Sequence, residues 1–177
     1  MLKGTKELHT ERLLLRRYHP EDAETMHIKF GIDPQMYAYS GWNPYATMEM
    51  ARESVQRFIE SYINTDFYGW AIVYQNNLIG TAGAYDYDAE KNQIEVGFSI
   101  AKEYWGKGFA TEALVCVLQY LTEQEGIKTI TAWCAKENDA SKKVLLKSGM
   151  KQTGINIDGL QVDGKVYDQL FFSYSAE

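Results

Sequence analysis

Basic charge is what this chain is short of. Eighteen Lys and Arg face 24 Asp and Glu, a formal net charge of −6 at pH 7, which argues against nucleic acid or an anionic membrane as the main partner. Cysteine is scarce too: there are two, Cys116 in a helical pattern and Cys134 in a strand-like run, with no short metal spacing between them. Two buried thiols in a reducing compartment is the default reading. The three histidines, His9, His19 and His27, sit in the first thirty residues without ligand spacing, so no set for zinc is present. No run approaches the ~18 apolar residues of a membrane span, and Met1-Leu2-Lys3-Gly4-Thr5-Lys6-Glu7 has no apolar signal core. A cytoplasmic protein is expected. The Gly-x-Ser-x-Gly nucleophile motif is absent, and no repeat, low-complexity tract or linker marks a domain boundary.

What remains is a globular composition: 177 residues, 45% hydrophobic and 14% aromatic, enough for one domain spanning residues 1–177 with a proper core. An acidic surface attracts cationic substrates or serves solubility alone; composition does not separate the two.

Residues 12–18 read as a first strand, and His19-Pro20-Glu21-Asp22 starts a helix that fades near Phe30. Residues 31–46 are irregular, with Pro34, Gly41 and Pro44 among Met36, Tyr37, Tyr39, Trp42 and Tyr45. Such a greasy loop is either a cap over the core or a substrate wall. Thr47 caps a second helix, with Ala51, Val55, Phe58, Ile59 and Tyr62 at helical spacing. Residues 68–74, 78–87 and 93–100 read as three strands joined by a turn at Gln75-Asn76-Asn77 and a polar link, an antiparallel meander. A third helix follows, with Ala110, Ala113, Leu114, Val117, Leu118 and Leu121 on one face and a stop at Gly126. Residues 129–135 are β-rich, and a right-handed crossover sets them parallel to the preceding strand. Asn138 caps a helix over residues 139–148. Residues 150–157 and 167–174 read as closing strands around turns at Asp158-Gly159 and Asp163-Gly164. The expected fold is mixed α/β, a mostly antiparallel sheet with helices on both faces.

The chain is organised around Tyr104-Trp105-Gly106-Lys107-Gly108-Phe109-Ala110-Thr111-Glu112-Ala113. Two glycines one residue apart permit a tight turn close to a ligand. The helix opening there leaves its first N–H groups unpaired at the positive end of its dipole, a ready site for phosphate or pyrophosphate. The alternative is glycine for loop geometry alone. A Walker loop requires Gly-Lys-Ser/Thr, and this loop has Gly106-Lys107-Gly108-Phe109. A dinucleotide fingerprint requires a third glycine where Thr111 stands, inside a βαβ unit.

Three segments, taken in order and spacing, resemble the GNAT superfamily of acetyltransferases. They are Ile94-Glu95-Val96-Gly97-Phe98-Ser99-Ile100, then Trp105 through Ala113, then Asn138-Asp139-Ala140-Ser141 with Lys147-Ser148-Gly149-Met150. The branch resembled most is the one that includes the ribosomal-protein N-terminal acetyltransferases. Thr10-Glu11-Arg12-Leu13-Leu14-Leu15-Arg16 and the closing Asp158-Gly159, Asp163-Gly164-Lys165 and Tyr167-Asp168 are similar to that branch as well. In the superfamily's loop pattern Trp105 stands where Gln or Arg is common, so loop function would rest on backbone amides rather than one polar side chain.

The resemblance implies acetyl-CoA as donor, with its pyrophosphate in the Trp105-Gly106 loop on the amides of Lys107, Gly108, Phe109, Ala110 and Thr111. It further implies a central pair of parallel strands that splay apart, so that pantetheine lies between them and meets backbone groups of Phe98, Ser99 and Ile100. One amide there would polarise the thioester carbonyl. A direct attack in a ternary complex needs proton removal from an amine near pKa 10. Glu95 is the candidate base, although strand alternation puts Glu95, Gly97 and Ser99 on one face and Val96, Phe98 and Ile100 on the other. A bulge near Phe98 would change that; a plain surface acid is the competing reading. Ser141 matches the polar donor for the leaving thiolate, against ordinary capping three residues after Asn138. Asn138 is a cap, a pantetheine contact, or both.

The expected acceptor is a protein N-terminal α-amine of the ribosomal-protein type, the alternative being a small amine such as a polyamine, amino acid or antibiotic, with residues 31–46 and 158–165 as its wall. A different class, an acyl-CoA sensor without turnover, predicts binding without transfer. A homodimer is an option the resemblance leaves open, since the aromatic run Leu170-Phe171-Phe172-Ser173-Tyr174 reads equally as interface or core strand.

Overall fold

The structure, a computed structural model, describes residues 1–176. Its strands are β1 (Leu8–His9), β2 (Leu14–Arg16), β3 (Tyr68–Tyr74), β4 (Asn77–Asp88), β5 (Gln93–Ile100), β6 (Thr129–Ala135), β7 (Lys151–Val162) and β8 (Lys165–Ser175). The α-helices are α1 (Asp22–Met26), α2 (Met48–Ser61), α3 (Phe109–Gln119) and α4 (Asp139–Lys147). α1 and α3 each run on into a wider π-helical turn, His27–Gly31 and Tyr120–Gln124.

All eight strands share one sheet in the order β1-β2-β3-β4-β5-β6-β8-β7. Local turn chemistry sets its hairpins. Gln75 and Asn76 take φ values of 47° and 62°, the left-handed pair of a two-residue turn that matches strand twist, so β3 and β4 pair from Tyr74↔Asn77 onward. Asp163 and Gly164, at 49° and 77°, do the same for β7 and β8. Every pair is antiparallel except β5 with β6, which the α3 crossover makes parallel.

Alternation along the central strands produces two cores. Trp70, Ile72, Ala82, Ala84, Ile94, Val96, Ile100, Ile130, Ala132, Leu170 and Phe172 pack with Phe109, Leu114, Leu118 and Leu145 beneath α3 and α4. On the opposite face Ala71, Leu78 and Ala101 pack with Tyr18, Met26, Phe30, Ala51 and Val55 beneath α1 and α2. Asp22 anchors α1: its carboxylate takes two Arg16 guanidinium bonds of 2.8 and 3.0 Å and the His19 amide at 2.7 Å. Thr47 caps α2 by accepting from the Met50 amide. Glu125, just past the α3 extension, holds the start of the chain. It accepts from the Lys3 and Gly4 amides at 2.8 and 3.3 Å and from the hydroxyls of Tyr68 and Tyr120 at 2.5 and 3.3 Å.

Three expectations about elements are corrected. The first long strand, residues 12–18, is only Leu14–Arg16, because Thr10 turns the chain locally, its amide and hydroxyl both engaging Leu13. Asp158-Gly159 is not a turn but a bulge within β7, where register shifts between Asn156 and Leu160 and Asp158 has φ 54°. No bulge falls near Phe98 in the β4–β5 ladder, which is regular from Gly80↔Ile100 to Tyr85↔Glu95; the irregularity lies between Tyr85 and Asp88. The Leu170–Tyr174 run lies inside β8, between β6 and β7, with Leu170 and Phe172 buried.

Candidate active site

β5 and β6 pair only through Gln93↔Thr129, Ile94↔Ile130 and Glu95↔Thr131. β5 then continues to Ile100 beside β4, and β6 to Ala135 beside β8. From Val96 on, the facing edges of the two strands diverge. The Asn92 carbonyl accepts from the Lys128 and Thr129 amides, and the Ile94 carbonyl from the Thr131 hydroxyl. Residue edges alternate along a strand, so Val96, Phe98 and Ile100 turn their peptide groups into the opening. Ser99 turns its own toward β4, where it is paired with Thr81. The expectation that Ser99 offers backbone groups to the opening is therefore corrected. The Ile100 carbonyl is also committed, accepting the Trp105 indole N–H at 2.6 Å.

That indole bond ties the glycine loop to the end of β5. The turn Lys102–Tyr104 leads in, and Gly106 and Gly108 then take φ values of 75° and 80°, conformations that side chains with a Cβ resist. Gly108 is the N-cap of α3 and no side chain caps the helix. The Glu112 amide is bonded to the Gly108 carbonyl at 3.1 Å, which leaves the earlier amides of the first turn as free donors. An added Cβ would meet nothing within 4 Å at Gly106, and at Gly108 only the Arg12 guanidinium at 3.5 Å. The loop surface is open. Phe109 is buried below it against Tyr74, ring centroids 4.6 Å apart.

At the other side of the opening α4 begins. The Asn138 side chain accepts the Ser141 amide at 3.2 Å. Asn138 is thus the cap, and the Ser141 hydroxyl takes no part in it. Cys134, on β6, is buried, and burial pushes its thiol up to about 11. It is neutral at ordinary pH.

Glu95 is half-buried at the last paired position before the strands part. Its Oε1 accepts from Trp133 Nε1 at 3.1 Å. Burial raises its pKa, the Asp86 charge adds to that, and the Trp133 bond opposes it. Glu95 shares its face with Gly97 and Ser99, while β4 places Thr81, Gly83 and Tyr85 opposite them. Gly69, Gly83 and Gly97 stand in register across three strands. Tyr85 folds over this glycine row: a Cβ on Gly83 would sit 2.7 Å from its hydroxyl, and one on Gly97 3.2 Å from its ring. The residue is 48% exposed, but its hydroxyl end is turned inward, and burial beside Glu95 pushes the phenol up to about 12.

Residues 31–46 cross above this face. On one side Asp33 approaches Lys102 at 4.0 Å and the Tyr45 carbonyl bonds His27 at 2.8 Å. On the other, Tyr39 packs edge-on against Tyr167 at 5.5 Å and donates to the Glu137 carbonyl at 3.4 Å. Sequence reasoning missed Arg12, Trp133 and Tyr85; only the matching of Arg12 to a branch motif hinted at the first.

An opened parallel pair with a bare helix start at its mouth defines a site for an extended, anionic ligand laid between strands. The chain matches the model of the acetyltransferase (GNAT) domain over residues 12–151, and it belongs to that family: it is a GNAT-family N-acetyltransferase. It is 30% identical over 168 residues to the uncharacterized N-acetyltransferase YoaA of Bacillus subtilis (strain 168), covering 94% of each chain. It is 26% identical over 176 residues to the [ribosomal protein uS5]-alanine N-acetyltransferase of Escherichia coli (strain K12), covering 92% of this chain and 87% of that one. Its fold matches the crystal structure of the microcin C7 self immunity acetyltransferase MccE in complex with acetyl-CoA and AMP, with a TM-score of 0.86, 17% identity and 94% of each chain covered. Acetyl-CoA is the acetyl donor of the family, and the open glycines, free amides and parted strands fit such a ligand. Among the described residues no helix is long and apolar enough to cross a membrane.

Proposed function

We propose that this chain, acting as one domain over residues 1–177, moves an acetyl group from acetyl-CoA to the N-terminal α-amine of a protein. The observation that carries this reading is the position of Glu95: a half-buried carboxylate of raised pKa at the point where β5 and β6 part, on the face crossed by residues 31–46.

Acetyl-CoA supplies an activated thioester carbon. The amides of Gly108, Phe109, Ala110 and Thr111 hold its pyrophosphate, with Trp105, Gly106 and Lys107 shaping the loop. Val96 and Phe98 offer peptide groups to pantetheine, and an N–H among them polarises the thioester carbonyl. Ile100, its carbonyl taken by the Trp105 indole and its side chain in the core, fixes the end of β5, and Ser99 lines the acceptor side. An α-amine near pKa 8 is partly protonated at neutral pH; Glu95, kept basic enough by burial, takes the proton directly or through water. The Ser141 hydroxyl, free of the cap, donates to the departing sulfur, with Asn138 fixing that turn.

Two features favour a peptide over a small enclosed amine. The enclosed space among Tyr18, Phe58, Phe67, Gly69, Thr81, Gly83 and Tyr85 is about 30 Å³, room for one water. The rim around it is exposed at Tyr85 (48%), Phe171 (37%) and Trp42 (67%). The uS5-alanine relative agrees in kind. A cytoplasmic setting belongs to the same reading, supported by two free cysteines.

The test is turnover with acetyl-CoA on peptides of varied first residue, set against polyamines, free amino acids and aminoglycosides. Thiol release and product mass are followed, and fragmentation locates the acetyl group. Acetylation of small amines with none at any peptide α-amine would sink the proposal.

A further inference from the structure

Arg12 lies in the loop before β2, almost a hundred residues from the glycine loop, yet its amide and its three guanidinium nitrogens reach that loop or the first turn of α3. Its Nε bonds Glu112 Oε2 at 2.7 Å and one terminal nitrogen forms an ion pair with the same oxygen, also at 2.7 Å. The other terminal nitrogen bonds the Lys107 carbonyl at 3.0 Å, and its own amide bonds Glu112 at 2.9 Å. The guanidinium lies 4.3 Å above the Phe109 ring. Thr10 completes the set with a hydroxyl bond to Glu112 at 2.6 Å. These contacts hold the Glu112 pKa down against its burial.

Two physical consequences follow. In a trans peptide the C=O and N–H point in opposite directions. With the Lys107 carbonyl pulled toward Arg12, the Gly108 N–H points outward, to the side where the loop is open. Second, Glu112 stands in the first turn of α3, where a lone carboxylate would repel a ligand of several negative charges a turn away. Paired with Arg12, it presents almost no net charge.

We propose that Arg12 is a positioning residue for acetyl-CoA: it aims the Gly108 amide at the pyrophosphate and cancels the charge of Glu112 beside it. The inference rests on the reading of this loop as the pyrophosphate cradle. It touches the ligand only through the peptide and the carboxylate it holds.

The experiment compares acetyl-CoA with S-acetylpantetheine, which lacks the pyrophosphate, as donors for wild type, Arg12→Ala, Arg12→Lys and Glu112→Gln. Wild type should strongly prefer acetyl-CoA; equal use of both donors would remove the cradle itself. Granted that preference, Arg12→Ala should raise KM for acetyl-CoA at least tenfold, with the change in KM rather than kcat and with S-acetylpantetheine kinetics unmoved. Glu112→Gln, which removes a negative charge, should tighten CoA binding, and Arg12→Lys should fall between wild type and alanine. An Arg12→Ala enzyme that keeps its KM for acetyl-CoA, or that loses equally on both donors, would overturn the proposal while leaving the cradle standing. Should Arg12→Ala fail to fold, the opposite signs expected for Arg12→Lys and Glu112→Gln carry the same test: weakening of CoA binding by both would overturn it.

Discussion

Trp133 Nε1 donates to Glu95 Oε1 at 3.1 Å, across two strands that cease to pair at Glu95 itself. The bond reaches over the start of the opening and holds the carboxylate at its edge. It also lowers a pKa that burial and Asp86 raise. A base must be ionised to work, so activity should climb as pH rises through this raised value. Removing the bond with Trp133→Phe deletes a lowering influence and should move the acidic limb of kcat/KM to higher pH. An unmoved limb would separate Glu95 from proton transfer.

Glu95→Gln keeps the size and the Trp133 bond but cannot accept a proton. Turnover should fall at least a hundredfold, in the range of a lost general base. Affinity for CoA, measured by calorimetry, should stay within about twofold. Retained turnover across the pH range would return Glu95 to the role of a surface acid.

Gly108→Ala sets a Cβ at φ 80°, a strain of about 1–2 kcal/mol, although the space is ample. The loop should relax and CoA should bind at least fivefold more weakly. Gly108→Asp adds a carboxylate within reach of Arg12, 3.5 Å from the Cβ position, and should weaken binding further by drawing that guanidinium off Glu112. Unchanged affinity in both would take the loop out of the site.

Gly83→Ala and Gly80→Ala, three residues apart on β4, should behave differently. At Gly83 the new methyl meets the movable end of Tyr85 at 2.7 Å, whereas at Gly80 it meets the Ser99 backbone carbonyl at 2.7 Å. The first should raise KM for the peptide acceptor with little loss of stability. The second should strain the β4–β5 ladder and lower the melting temperature. Thermal melts beside acceptor kinetics distinguish them.

Glu125→Ala unties two amides and two tyrosine hydroxyls at once. Bonds to a charged group contribute about 1.5–3 kcal/mol each, but the freed amides are partly in water. A loss of about 2–3 kcal/mol is expected in urea titration, with CoA affinity below the transition unchanged. Wild-type stability in the variant would make the staple decorative.

Local signals in the sequence carried far. The strand–loop–helix–strand unit from Gln93 to Ala135, its parallel crossover, and the helix start at the glycines all follow from periodicity and turn residues. The caps Thr47 and Asn138 behave as their side-chain chemistry dictates. What escaped was chemistry assembled from distant positions. Glu95 and Trp133 are separated by 38 residues, and Arg12 and Glu112 by 100; no spacing rule joins them. The direction of a peptide group was also beyond reach, so Ser99 and Phe98 looked alike until the ladder fixed which edge each presents. Asp158-Gly159 reads as a turn because a bulge uses the same left-handed backbone.

The sheet is in effect two panels joined at one end. Five strands, β1 to β5, and three, β6, β8 and β7, are joined edge to edge through three residue pairs at one end. Beyond Glu95 no residue pairing joins the two strand edges, and what spans them is the core they share beneath α3 and α4. A ligand that hydrogen-bonds both edges of the opening would work as a mechanical splint, so the same contacts that position the donor would also fix the angle between the panel bearing Glu95 and the panel bearing Trp133. Loading the donor would thereby set the distance across which the acceptor amine must be held.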